Sequence, residues 1–316
     1  MSSNQNHLDF HRRTHVIRVA LCVDLSSAQK ARLRAGLEGA ELVDGDDLSG
    51  CDVAFGNPDA DALIGAETLR WIQLESVGFG EYADLDWGGL RQRLTLTNLA
   101  GFFADPVAET ALAGLLALAR GVHDLLLLQT TNTWEGDPIR TRLRSLSGSN
   151  VVMVGFGAIN QRLAALLAPF NCLITPIRST TPLEMMDSAL LTADVVVCTA
   201  PDTPATRGMF DAKRLALLPN HAVFVNLGRG SIVDEVELAK ALNTGQIGGA
   251  VLDVTEDEPL PAEHPFWNCP NTILTQHSGG GTADELDQKI DVFLANFARF
   301  SDGEPLQGIV NMKRGY

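Results

Sequence analysis

Residues 150–160 read Asn150-Val-Val-Met-Val-Gly155-Phe156-Gly157-Ala158-Ile159-Asn160, an apolar run that breaks at two glycines and passes into a helical pattern. A buried strand, a tight turn and a helix in that order form the entry of a dinucleotide-binding unit. Gly155 allows the turn and Gly157 lets the backbone approach a pyrophosphate, whose charge meets the positive end of the helix carrying Ile159, Leu163 and Leu167. Asn160 stands where the motif has its third glycine, a position that serves helix-to-strand packing more than phosphate contact. The same turn occurs in α/β proteins that bind no nucleotide, so its reading depends on what surrounds it.

Downstream the pattern repeats. Strand-like runs at Leu173 to Ile177, Ala193 to Cys198, Ala222 to Val225, Gly249 to Leu252 and Thr272 to Thr275 bring the strands to six, as in a complete doubly wound sheet. Their carboxyl ends carry Arg178, Ala200 with Pro201, Asn226 to Arg229, Asp253 and His277. Ligands of open α/β sheets bind outside those ends, so one crevice collects a phosphate loop, an arginine, a carboxylate and a histidine. Upstream, the runs Val16 to Val23, Glu41 to Val43, Asp52 to Phe55, Trp71 to Leu74 and Leu94 to Thr97 alternate with helical segments and imply a first parallel sheet. After Trp71 to Leu74 comes Glu75-Ser-Val77-Gly78-Phe-Gly80, a loop whose N–H groups suit a carboxylate and which also reads as an ordinary turn.

A helix is expected from Pro106 to Val122, apolar almost all round and therefore buried between domains or subunits. Thr130 to Ser149, with Arg140, Arg142 and Arg144, reads as a solvated linker. The segment Glu285 to Phe300 is expected to be helical, with a short strand in GEPLQGIVN. The fold expected is thus two Rossmann-like, doubly wound parallel-sheet domains with a cleft between them. Residues 1–98 plus 287–316 form a discontinuous, flavodoxin-like substrate domain, and 99–286 the dinucleotide-binding domain.

The chain has 316 residues, 45% hydrophobic and 20% charged, with a net charge of −15, which suits a soluble protein of about two domains. That acidity argues against nucleic acid and anionic membranes as partners, which need a basic surface. Cys22, Cys51, Cys172, Cys198 and Cys269 show no paired spacing and read as reduced residues of a cytoplasmic protein; no metal site is expected. No apolar run reaches a membrane span, and residues 1–15 read as a frayed tail without a signal-peptide core.

Three strand-end residues suit hydride chemistry at a carbonyl. His277 can give or take the oxygen's proton, because imidazole titrates near neutrality. Glu258, in TEDEPLP, can pair with the imidazolium and fix its tautomer; Arg229, in VNLGRGSIVDE, can grip a carboxylate and polarise the adjacent carbonyl. Singly, each also reads as a structural residue; their shared placement favours a site. In NAD-binding members of the fold an acidic residue about 20 positions past the turn accepts the ribose hydroxyls. Arg178, 23 positions beyond Gly155, holds that place and with Ser179 and Thr180 offers donors to a 2′-phosphate, or stacks on adenine.

The stretches VGFGAI, ADVVVCTAPDTPATRGMF, VNLGRGSIVDEVELAKAL, AVLDVTEDEPLP, NTILTQHSGGGT and the closing RGY resemble, in order and spacing, the D-isomer-specific 2-hydroxyacid dehydrogenases. Residues 147–282 resemble that family's cofactor domain, and glyoxylate and hydroxypyruvate reductases look most similar. The resemblance implies a catalytic set of Arg229, Glu258 and His277, with the substrate carboxylate received at Val77, Gly78 and Arg229. It places Asp253 at the nicotinamide carboxamide. With the turn and strand-end residues Gly155, Phe156, Gly157, Ala158, Ile159, Arg178, Ser179, Thr180, Ala200, Pro201, Leu227 and Gly228, and with His277, Asp253 would make the cofactor site. The implied activity is reduction of a small 2-keto acid to the D-2-hydroxy acid. NADP(H) is preferred and NAD(H) possible, and the assembly is a homodimer through the cofactor domain. The alternatives are a non-catalytic dinucleotide sensor or corepressor on the same fold, and an NAD-dependent dehydrogenase working oxidatively. Gln276 replaces the proline usual before the histidine in this family.

Overall fold

The computed structural model describes residues 16–82 and 85–312. The stretch 1–15 read as a tail and the closing RGY at 314–316 lie outside the described residues. The chain divides into two compact units, one of residues up to Leu99 with those from Asp284 onward, the other Ala100–Ala283.

In the first unit five parallel strands, β1 (Arg18–Cys22), β2 (Glu41–Asp44), β3 (Val53–Gly56), β4 (Trp71–Gln73) and β5 (Thr95–Thr97), take the order β2-β1-β3-β4-β5. That is the flavodoxin-like order. Side chains alternate between two cores. Ala20, Ala54, Ile72 and Leu96 face one; Val19, Val53, Phe55 and Trp71 face the other with Phe293 and Phe297 of the helix Glu285–Asp302. Phe293 stacks on Phe55 at 4.5 Å and on Trp71 at 5.3 Å between ring centroids, so the C-terminal helix completes this core. Beyond it GEPLQGIVN forms no strand. Pro305 lacks an N–H and Gly308 turns at φ +71°, leaving a single antiparallel bridge from Ile309 to Thr97.

In the second unit β6 (Asn150–Val154), β7 (Leu173–Ile177), β8 (Val195–Cys198), β9 (Val223–Asn226), β10 (Gly249–Leu252) and β11 (Thr272–Leu274) form a parallel sheet. The order is β11-β10-β9-β8-β6-β7. Central strands are buried on both faces, which is why they read as continuous apolar runs. Val152, Val154, Val196, Cys198 and Phe224 face one core; Val151, Met153, Val195, Val197 and Val225 face the other. Six strands are present, in the order 2-1-3-4-5-6 of this unit rather than the dinucleotide-fold order 3-2-1-4-5-6. Among the described residues β7 is the edge strand, and its Leu173, Thr175 and Pro176 are exposed; proline is tolerated at such an edge.

The helix expected over 106–122 is two helices, Ala104–Ala119 and Val122–Thr130, bent by 69°. Gly121 breaks it at φ +63°, where a Cβ would stand 2.8 Å from Leu143. The first helix packs Val107, Ala108, Ala111 and Leu115 on the sheet, and Gly114 lies so close to Val251 that a Cβ would meet it at 2.6 Å. Its apolar face is thus buried within its own unit. Of the linker arginines, Arg140 pairs with Asp137, Arg142 with Glu135, and Arg144 donates to the His221 carbonyl at 3.3 Å. Among the described residues no single helix is long and apolar enough to cross a membrane, and no cluster of metal ligands occurs. The five cysteines are free, and burial pushes the Cys198 thiol up to about 12.

Candidate active site

The strand order reverses between β6 and β8, and there the backbone is drawn tight. Gly155 sits at φ +81°, and a Cβ on it would lie 2.7 Å from the Ala200 nitrogen. Only glycine fits that conformation and that contact. The Asn160 side chain is fully buried and donates to the Gly155 carbonyl at 2.8 Å, while Thr199 Oγ1 donates to the same carbonyl at 2.8 Å. The residue in place of the third glycine therefore straps the turn from behind, though its Oδ1 has no hydrogen-bond partner. Gly157 ends the turn as N-cap of the helix Ala158–Leu167, and a Cβ there would meet nothing within 4 Å. An open glycine before the unpaired N–H groups of a helix start fits a pyrophosphate.

Arg178 at the end of β7 lies over the Phe156 ring, 4.8 Å from its centroid, and donates to the Phe156 carbonyl at 3.2 Å. Its own N–H is taken by Thr181 Oγ1 at 3.0 Å, and Ser179 and Thr180 stand exposed beside it. At the end of β8, Ala200 is buried and the Pro201 carbonyl accepts from Thr206 Oγ1.

Arg229 follows β9 on a loop framed by buried Asn226, whose Nδ2 donates to the Arg229 carbonyl at 2.9 Å and whose Oδ1 accepts the Gly228 N–H at 3.1 Å. Leu227 beneath is buried, whereas Arg229 is exposed, with Nη1 donating to the Gly228 carbonyl at 2.6 Å. Glycines on either side bring other strand ends to this loop. A Cβ on Gly228 would meet the Ala200 carbonyl at 2.6 Å, and one on Gly230 would meet the Thr255 carbonyl carbon at 2.0 Å. The arginine loop is thus wedged between the β8 end and the loop that leads to Glu258.

Glu258 Oε1 accepts the Thr255 N–H at 3.0 Å, and Oε2 lies 2.7 Å from His277 Nδ1. A carboxylate accepts only, so Nδ1 carries the proton and Nε2 is left for another partner. The histidine owes its place to an unusual backbone: Gln276 and His277 both lie at positive φ, +56° and +54°. Proline is locked near −65°, so it could not occupy position 276 in this turn. Asp253 fixes the turn from below. Its carbonyl accepts the His277 N–H at 2.5 Å, and Oδ1 accepts from Thr275 Oγ1 at 2.6 Å and from the Gly279 N–H at 3.0 Å. Asp253 is itself buried, and a Cβ on Gly279 would strike its carboxylate at 2.7 Å.

In the first unit, the Val77 carbonyl accepts from Asn98 Nδ2 and the Gly78 carbonyl from Ser76 Oγ, each at 2.7 Å. At the start of the loop the Glu75 N–H donates to Asn57 Oδ1 at 3.2 Å.

The structure therefore joins His277 to Glu258, ties the Arg229 loop to the Glu258 loop, and sets Arg178 on Phe156. The sequence reading passes over Thr199, and it names Asn160, Asn226 and Thr275 without their roles as straps. Their only signal is a short polar residue at a strand end or in a glycine's place.

Residues 112–279 match the family model described as D-isomer specific 2-hydroxyacid dehydrogenase, NAD binding domain. A glyoxylate reductase from Thermofilum pendens is 29% identical over 266 residues, 80% of this chain and 78% of that protein. The NADPH-dependent glyoxylate/hydroxypyruvate reductase of Sinorhizobium meliloti, solved in complex with NADP and sulfate, superposes with a TM-score of 0.80 at 25% identity, covering 95% of this chain and 100% of that one. An uncharacterized protein in the proB 3′ region of Corynebacterium melassecola is 30% identical over 284 residues, 86% of this chain and 92% of that protein. With more than half its length matched by that model, and a nicotinamide dinucleotide as the cofactor the matched domain binds, this chain belongs to the D-isomer-specific 2-hydroxyacid dehydrogenase family.

Proposed function

We propose that this protein reduces a small 2-keto acid of the glyoxylate or hydroxypyruvate type to the D-2-hydroxy acid, with NADPH preferred over NADH. The observation that carries the reading is the Glu258–His277 pair at 2.7 Å, which leaves Nε2 free at the carboxyl edge of a sheet built around a dinucleotide turn. The turn from Gly155 to Ile159 would hold the dinucleotide, which when bound would supply the hydride. Arg229 holds the substrate carboxylate and polarises the carbonyl oxygen. His277 gives that oxygen its proton from Nε2, and Glu258 stabilises the imidazolium before transfer. Asp253 anchors the histidine turn and receives the carboxamide.

The preference for NADPH rests on Arg178. Held by Phe156, it presents donors to a 2′-phosphate and no acceptor to a 2′-hydroxyl. A homodimer through the cofactor domain is supported by Leu126 and Leu127, 57% and 67% exposed on the helix Val122–Thr130, and by nearby Trp134, 94% exposed. A cytoplasmic, reducing location suits five free cysteines. Initial rates with glyoxylate, hydroxypyruvate, pyruvate and phenylpyruvate test the reading. The first two should lead, and a chain that binds NADPH but reduces none of the four would be a sensor on this fold.

A further inference from the structure

Glu235 belongs to none of the roles above, yet it is placed as though the Glu258 loop depended on it. It is the first residue of the helix Glu235–Asn243, and its side chain is only 10% exposed. Oε1 accepts the Glu256 N–H at 2.8 Å, and Oε2 lies 3.4 Å from His264 Nε2. His264 is oriented for this, since its Nδ1 accepts the Phe266 N–H at 3.3 Å and its proton is left on Nε2. Burial pushes the Glu235 carboxyl above its ordinary range, and the nearby carboxylates Glu256, Asp257 and Glu258 push the same way. A buried carboxylate beside three others is costly unless it is hydrogen-bonded, and here the Glu256 N–H and His264 Nε2 meet its two oxygens.

What it holds is the peptide between Thr255 and Glu256. Gly230 presses on one side of that peptide, with a virtual Cβ 2.1 Å from the Glu256 nitrogen, and Glu235 accepts its N–H. The Thr255 N–H then goes to Glu258 Oε1, and Glu258 Oε2 to His277 Nδ1. An unbroken chain of contacts runs from Glu235 to the imidazole.

We propose that Glu235 is a positioning residue: by fixing the Glu256 N–H it holds the 255–258 loop so that the Glu258 carboxylate stays against His277. The inference rests on the proposed role of the Glu258–His277 pair. Loss of the acceptor would let the loop drift and weaken the carboxylate's hold on the imidazolium without touching either substrate.

Glu235→Ala should lower kcat with glyoxylate and NADPH about tenfold, since an ångström of misplacement is worth up to about 10²-fold, while both KM values stay within about threefold. The carbon-bound proton resonances of the His277 imidazole, followed by NMR at one fixed pH, should shift as the carboxylate leaves the ring, a readout that needs no turnover. Glu235→Gln keeps the acceptor for the Glu256 N–H but turns its amide nitrogen towards the His264 Nε2–H, and should recover part of the loss. Glu235→Asp, which retracts the acceptor by one methylene, should follow alanine in direction and gives the same reading if alanine does not fold. In a Glu258→Gln background Glu235→Ala should add almost nothing, because both act through one contact. Glu258→Gln that leaves the His277 imidazole resonances unmoved sinks the underlying pair. A Glu258→Gln shift with no shift in Glu235→Ala or Glu235→Asp, a glutamine variant as impaired as alanine, or additive losses in the double variant each overturn the positioning role alone.

Discussion

Gly230→Ala is the sharpest structural perturbation of the site that leaves every reacting group in the chain. A Cβ there would stand 2.0 Å from the Thr255 carbonyl carbon, 2.1 Å from the Glu256 nitrogen and 2.2 Å from the Thr255 oxygen. Ordinary contact begins near 3.4 Å, so the two loops must part by about 1.4 Å, the difference from 2.0 Å. All three obstacles are backbone, which cannot swing aside as a side-chain tip does. Overpacking of this kind costs roughly 1–3 kcal/mol, a fall in Tm of about 2–12 °C for a domain of this size. The catalytic loss should be larger. The displaced segment carries Glu258, whose Oε2 is 2.7 Å from His277, and whose loop abuts that of Arg229. A shift of about an ångström at such a site lowers kcat/KM by about 10²-fold. NADPH binding, followed by fluorescence, should change little, because the Gly155 turn is held by other contacts. Gly89→Ala is the control, since its Cβ would meet nothing within 4 Å. A Gly230→Ala enzyme with parental Tm and a kcat/KM within threefold would refute the claim that these backbones must touch for the site to form.

His277→Ala should fold and bind NADPH but lose about 10²- to 10⁴-fold in turnover; parental turnover would remove it from the reaction. Arg229→Ala should raise KM for the keto acid as well as lower kcat, as loss of both grip and polarisation requires; a change in kcat alone would mean the carboxylate is held elsewhere. Asp202 tests electrostatics on the loop after β8. Two hydrogen bonds from Arg207, at 2.7 and 3.0 Å, hold its carboxyl below the ordinary range. A depressed acid stabilises the fold above its unfolded value, near 4, and loses that contribution as pH falls through the folded value. The pair is exposed, so Asp202→Asn should lower Tm at pH 7 by only about 1–2 °C, scaled from roughly 0.5 kcal/mol, and by progressively less as pH falls below about 4; a shift independent of pH would contradict the pairing.

What could be read from the chain follows where its information is local. The strands Leu173–Ile177 and Gly249–Leu252 coincide with their apolar runs, and the others agree to within a residue or two; for central strands such as Gly249–Leu252, burial on both faces leaves a continuous signature. The break at Gly121 was hidden. Apolar residues lie on both sides of it in ALARGVHDLLLL, so Arg120, His123 and Asp124 read as the polar face of one continuous helix, and the break is reinforced by Leu143, 22 positions further on. The strand expected in GEPLQGIVN fails for a similar reason, since Gly308 approaches the Asn98 carbonyl so closely that a Cβ would lie 2.6 Å from it. At the site, Arg229, Glu258 and His277 stand out as residue types at strand ends, and the left-handed turn at Gln276 gives a physical reason for the missing proline. The contacts that hold them are long-range. Gly230 meets Thr255, and Glu235 takes the Glu256 N–H 21 positions away; neither pairing leaves a trace in composition or periodicity.

The central claim is most directly tested by the ratio of kcat/KM with NADPH to that with NADH, measured with glyoxylate in one buffer. A charge-assisted contact from Arg178 to the 2′-phosphate is worth roughly 1.5–3 kcal/mol, which predicts a ratio of about 10 to 100, reversed towards NADH in Arg178→Asp. A ratio near one, a preference for NADH, or no reduction with either nucleotide would contradict it.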